Sequence, residues 1–338
     1  MIAHLPPLLI VLIVLGLGFD FFNGVNDSSN IVATMISSRA IRPKLAMFMT
    51  AMAEFCGPFL FGVAVATTIG NDIVDPQHVN MIVLITALTC AILWNFVTRF
   101  LGIPSSTSHA LIGGILGAVV MNAGFQVVKI AGLAKILIAL FVSPIAGLLA
   151  GLIIANITYL MSWNATPSVN GLFKRLQVIT SLGLALSHGT NDSQKTMGII
   201  TLGLVTSGVQ STFHVPFWVV FVCAMAIALG TSIGSWKLIR TLGTKFYRVR
   251  PVHGFTAQAS SAVVILAASL FGGPVSTTQV VSAAIMGVGA ADRVNKVRWG
   301  VAGEIASAWL LTIPATALVS AGIYWLLTVG FPKLIALF

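Results

Sequence analysis

The sequence predicts an all-α polytopic membrane protein built from two inverted-topology repeats of about five crossings each, with broken or reentrant helices at the centre. Three observations carry this. Of 338 residues, 57% are hydrophobic and 8% charged, against roughly 25% charged in soluble domains. Uncharged runs of membrane-spanning length recur, such as 81–98 and 136–173. Two polar motifs occur twice, in the same order.

The first element, residues 6–37, opens without Lys or Arg, so it lacks a signal peptide's basic n-region and reads as a retained helix. Basic residues then fix orientation. Arg39, Arg42 and Lys44, Lys174 and Arg175, the group from Lys237 to Arg250, and Arg293, Lys296 and Arg298 are placed in the cytoplasm. The acidic loop 71–80 and the uncharged loop 206–215 suit the outside. Crossings follow at 45–69, 79–100, 104–121 and 130–161, then at 177–206, 214–236, 255–271, 274–290 and 299–328. Residues 1–161 form the first repeat, 162–176 a cytoplasmic linker and 177–338 the second. Lys129 and Lys135 on the outer side run against the charge rule. The net charge of +10 follows from these helix-end cations and does not indicate nucleic acid. Cys56, Cys90 and Cys223 lie in apolar stretches and read as packing residues.

An offset of 165 sets Gly24, Asn26, Asp27 and Ser28 against Gly189, Asn191, Asp192 and Ser193. An offset of 170 sets Ser106, Thr107 and Ser108, behind Pro104, against Ser276, Thr277 and Thr278, behind Pro274. Opposite starting sides make the duplication inverted, an arrangement that places transport sites near the midplane.

Each motif has its chemistry. An aspartate in the bilayer is costly unless it faces a cavity or a cation, and Asn, Asp and Ser oxygens suit alkali cations. Gly24 and Gly189 are expected to permit a helix break there. Proline suits a first helical position, Ser and Thr can cap it, and such an N-terminus attracts anions. Two together would grip a tetrahedral oxyanion. Glu54, the single charge in its crossing, is a candidate for cation coupling with Asn26, Asp27, Asn191 and Asp192. Asn23, Asp20, His109, Lys195, Gln258 and Gln279 are candidates for the pathway. Glu304 is expected to pair with Arg293 or Arg298.

The stretches NGVNDSSN, HGTNDSQKTMGII, GIPSSTSHALIGG and GGPVSTTQVVSAAIMG together resemble the inorganic phosphate transporter (PiT) family. The resemblance covers residues 19 to about 314 and implies a cation-coupled phosphate symporter of the cell membrane, homodimeric, without cofactor beyond coupling Na⁺ or H⁺. It implies phosphate contacts at Ser106, Thr107, Ser108, Ser276, Thr277 and Thr278. It also implies cation contacts around Asn26, Asp27, Asn191 and Asp192, with Glu54 near the pathway. Two departures stand out. The second Ser/Thr run ends in Gln279 where the family commonly has His, and Gln258 stands where some members have Glu. A sulfate permease of the same fold is the nearest alternative. An intramembrane enzyme, using His109 or His188 beside hydroxyls, would not need each motif twice, and a passive channel would not move anion against a gradient.

Overall fold

The computed structural model describes residues 6–74, 78–101, 105–234, 250–297 and 299–330, except the side chains of Arg99, Leu101, Lys296, Val301, Ala302, Glu304 and Ile305. The expected Glu304 pairing, Pro104 and the basic group Lys237 to Arg248 therefore lie outside the described residues. Within them the chain is helical, with no strand. The elements are α1 (Pro7–Ser37), α2 (Pro43–Phe61), α3 (Ala64–Thr67), α4 (Met81–Leu101), α5 (Thr107–Ala123), α6 (Ile130–Met161), α7 (Val169–Thr206), α8 (Phe217–Ile233), α9 (Pro251–Leu270), α10 (Thr277–Asp292) and α11 (Trp299–Trp325).

Among the described residues, six helices are long and apolar enough to cross a membrane: α1, α2, α4, α6, α9 and the one containing residues 306–330. Ile138, Ile145, Leu149, Ile153 and Ile157 of α6 are exposed, as lipid-facing side chains of a spanning helix are. α7 differs. Its residues from Ser187 to Leu204 are buried without interruption, so this helix is surrounded by others on all sides. Its hydroxyls turn back onto their own backbone: Ser187 Oγ donates to Gly183 O at 2.8 Å, Thr190 Oγ1 to Leu186 O at 2.7 Å and Ser193 Oγ to Gly189 O at 2.6 Å. That satisfies polar groups that no water reaches.

The two halves interlock. α1 packs on α8 and α7 on α2, while α5 packs on α11 and α10 on α6. Each half thus supplies the partner for the other.

Four expectations differ in detail. First, α1 and α7 run unbroken through Gly24 and Gly189. The glycines serve close approach instead. A Cβ on Gly24 would lie 2.2 Å from Ile227 O of α8, and one on Gly189 2.2 Å from Glu54 O of α2. Tertiary contact decides these positions and outweighs the weak helix propensity of glycine. Gly189→Ala should therefore overpack the α2–α7 contact and destabilise the protein by about 1–3 kcal/mol, read as a lower unfolding midpoint in detergent. Second, residues 45–69 are not one helix: α2 ends at Phe61, and α3 is followed by a π-turn, Thr68–Asp72. Third, α7 starts at Val169, inside the segment expected as a linker, so Lys174 and Arg175 ride on a helix extended beyond the apolar core. Fourth, Pro274 precedes the N-cap Ser276 by two residues and does not occupy the first position of α10.

The two lysines that ran against the charge rule are held by the π-turn. Lys135 Nζ lies 3.8 Å from Asp72 Oδ2 and donates to Thr68 Oγ1 at 3.2 Å. Lys129 Nζ donates to Asn71 O at 2.9 Å.

Candidate functional site

The two Asn-Asp motifs meet because α1 and α7 pack together, each turning its aspartate inward. Asp27 is 5% exposed and Asp192 fully buried. Both reach the start of α10. Thr277 Oγ1 is 3.0 Å from Asp192 Oδ2 and 3.4 Å from Asp27 Oδ2. One hydroxyl proton cannot serve both carboxylates fully. Thr278 Oγ1 donates to Asp27 Oδ1 at 2.9 Å.

His188 stands between the acids. Its Nε2 is 2.9 Å from Asp192 Oδ2 and 3.5 Å from Asp27 Oδ2, and its Nδ1 is 2.9 Å from Glu54 Oε1. The other Glu54 oxygen, Oε2, accepts from Thr231 Oγ1. Candidate ligand atoms of Asp27, His188 and Asp192 all lie within 4.8 Å of one another, close enough to share a cation. Asn23 Nδ2 donates to Asp192 Oδ2 at 3.2 Å, while its buried Oδ1 has no hydrogen-bond partner. That orphaned hard oxygen, on a side chain held against Asp192, fits an alkali-cation site.

Lys195 is the buried cation, 1% exposed. Its Nζ donates to Asp192 Oδ1, to Ser108 Oγ at 2.6 Å and to Val275 O at 2.9 Å. All three ammonium protons are used. Ser108 Oγ in turn donates to Val275 O at 2.9 Å, which locks the starts of α5 and α10 together.

The Ser/Thr runs do open helices at the centre. Ser106 caps α5, accepting from His109 N at 3.2 Å, and its Oγ pairs with His109 Nδ1 at 2.8 Å. Gln279 Nε2 lies 3.4 Å from that same nitrogen. The Ser276 side chain makes no cap on α10, so the amides there keep the anion-binding character of a helix N-terminus. Thr107 is half-buried and Ser276 buried at the two starts.

Other predicted residues have structural partners. Asn191 Nδ2 donates to Ser269 Oγ at 2.8 Å and Gly273 O at 3.1 Å, and its Oδ1 accepts from Val275 N at 3.1 Å. It therefore shapes the loop before α10. Asn26 is only half-buried, and its backbone oxygen accepts from Ser29 Oγ at 2.7 Å. Gln258, expected to face the cavity, ties three helices together: its amide donates to Ile31 O at 3.2 Å and Thr34 Oγ1 at 2.8 Å, and its oxygen accepts from Thr180 at 3.1 Å. Asp20, fully buried, accepts from Thr196 Oγ1 at 2.5 Å.

Sequence reasoning missed His188 and Thr231 as parts of this cluster. For His188 a signal existed: the 165-residue offset pairs it with Asn23, and each reaches across to the other repeat's aspartate. Thr231 carries no motif, and the packing of α8 on α2 brings it to Glu54.

A family model described as the phosphate transporter family matches residues 23–167 and 159–320. A Rhizobium meliloti protein named a probable low-affinity inorganic phosphate transporter is 46% identical over 321 residues, covering 94% of this chain and 96% of that one. A Bacillus subtilis protein of the same name is 42% identical over 328 residues, covering 96% and 98%. A solved structure titled the sodium-dependent phosphate transporter superposes with a TM-score of 0.85 at 27% identity, covering 96% of this chain and 99% of that one. With both halves matched and both motif copies gathered at one buried centre, the chain belongs to the phosphate transporter family and is a multi-pass membrane transport protein, not an enzyme.

Proposed function

We propose that the protein is a cation-coupled symporter that carries inorganic phosphate into the cell by alternating access, with Na⁺ as the coupling ion. One observation carries the reading: carboxyl groups outnumber fixed cations at the buried centre. Asp20, Asp27, Glu54 and Asp192 are buried there with Lys195 and His188. A phosphate anion entering such a field is repelled unless mobile cations come with it. Oxygen ligands on Asp27, Asp192, Asn23 and Thr277 suit Na⁺, and the solved relative is titled sodium-dependent. Phosphate would then sit against the N-termini of α5 and α10, contacting Ser106, Thr107, Ser108, Ser276, Thr277 and Thr278.

The reciprocal packing of α1 on α8 and α7 on α2 supports the reading of residues 1–161 and 177–338 as inverted repeats that rock about this site. The proposed assembly is a homodimer, supported by the family resemblance alone. None of the relatives described above is named for sulfate, and nothing in the site favours that anion.

The test is uptake of labelled phosphate into proteoliposomes under imposed Na⁺ or H⁺ gradients, with and without excess sulfate. Accumulation driven by inward Na⁺, abolished by collapsing that gradient and insensitive to sulfate, is expected. Uptake that follows the proton gradient alone would move the coupling to H⁺. Equilibration without accumulation would make the protein a passive channel.

A further inference from the structure

The two repeats place chemically unequal residues in equivalent positions around their aspartates. Under the 165-residue offset, Asp27 corresponds to Asp192 and Asn30 to Lys195. Under the 170-residue offset, Ser108 corresponds to Thr278. The contacts correspond as well. Asn30 Nδ2 donates to Asp27 Oδ1 at 3.0 Å and to Thr278 Oγ1 at 3.1 Å. Lys195 Nζ donates to Asp192 Oδ1 and to Ser108 Oγ at 2.6 Å. The same bridge, from aspartate to a hydroxyl of the opposite repeat's helix start, is built once with a neutral amide and once with an ammonium.

We propose that Lys195 is a tethered cation, which neutralises Asp192 from the place where Asn30 gives Asp27 only a neutral amide, so that the protein takes up one mobile cation fewer than a site with two lysine-free halves would need. The ligands of the ammonium are a carboxylate, a hydroxyl and the Val275 carbonyl. These are the oxygen types that an alkali cation also takes, so Lys195 stands where a second ion would bind. The mobile cation is then held by Asp27, whose own bridge to the opposite repeat carries no charge. Lys195 is in this sense a residue that fixes stoichiometry. Its lysine stem also ties that charge to α7, so it cannot leave with the substrate.

This inference rests on the proposed symport. Its test is the Lys195→Asn variant in the same proteoliposomes, with labelled Na⁺ and labelled phosphate measured together. The expected result is a cation-to-phosphate flux ratio higher by about one, because one fixed charge has been removed and must be supplied by an ion. An unchanged ratio in a transporting variant overturns the proposal. If K195N does not transport, Na⁺-dependent thermal stabilisation of the detergent-solubilised variant decides: a steeper Na⁺ dependence than the wild type supports the proposal and an equal one overturns it. If K195N does not fold, Asn30→Lys provides the converse. It should abolish Na⁺-dependent stabilisation, and a retained response overturns the proposal. Failure of wild-type phosphate uptake would sink the symport reading itself, which separates the two.

Discussion

Replacing Asp192 by asparagine is expected to lower phosphate uptake at least ~100-fold and to destabilise the fold as well. The two effects have different origins. Removing one partner of a buried ion pair leaves the other charge stranded, which costs about 3–5 kcal/mol, and Lys195 has no other acid within ion-pair distance among the described residues. Asp27→Asn makes the comparison informative. Asp27 has Asn30, Thr277 and Thr278 as neutral partners, with His188 Nε2 farther off at 3.5 Å and closer to Asp192, and an amide can still bond to hydroxyls. Its loss of uptake should be as large, about 2.7 kcal/mol or more when converted from ~100-fold, while its unfolding midpoint should stay near that of the wild type. Uptake and thermal unfolding of both variants, measured side by side in liposomes and detergent, check this. Wild-type transport by either one would remove its aspartate from the cation site.

The second large effect is expected at His188. The imidazole lies within ion-pair distance of Glu54, Asp192 and Asp27. His188→Ala deletes the group that separates three buried acids, and like charges brought into one low-dielectric space repel strongly. Uptake should fall by at least ~10-fold, and the variant should be less stable by about 1–3 kcal/mol, the cost of leaving buried polar groups unpaired. His188→Asn should be milder. Asn23, at the equivalent position of the first repeat, shows that an amide there reaches the opposite aspartate. The asparagine would keep a contact to the aspartates and lose the one to Glu54. Comparable loss in both variants would mean that the ring itself is required.

Much of this site is readable from the residues because it is written twice. Duplication turned Asp27 and Asp192, and the runs after Pro104 and Pro274, from isolated oddities into a pattern, and the structure gathers them at one centre. The apolar runs likewise give the helices, since a bilayer demands long uncharged segments. What escaped has two physical sources. Gly24 and Gly189 were expected as breaks because propensity is a local quantity, whereas their role is set by carbonyls of α8 and α2 far away in sequence. His188 escaped because its counterpart, Asn23, is chemically different, so repetition concealed it. Gln258 was assigned to the cavity by symmetry, yet its side chain finds Ile31, Thr34 and Thr180. A repeat predicts where a residue sits more surely than where its side chain points.

The continuity of α1 and α7 constrains how the site can be taken apart. Both aspartates hang from intact hydrogen-bonded ladders, with no pivot between Asn23 and Asn30 or between His188 and Lys195. Such rods are stiff on the scale of one helical turn. Each carboxylate therefore keeps a fixed place on its own helix, and the hydroxyls of Thr277 and Thr278, at the start of a separate helix, reach both from outside those two rods.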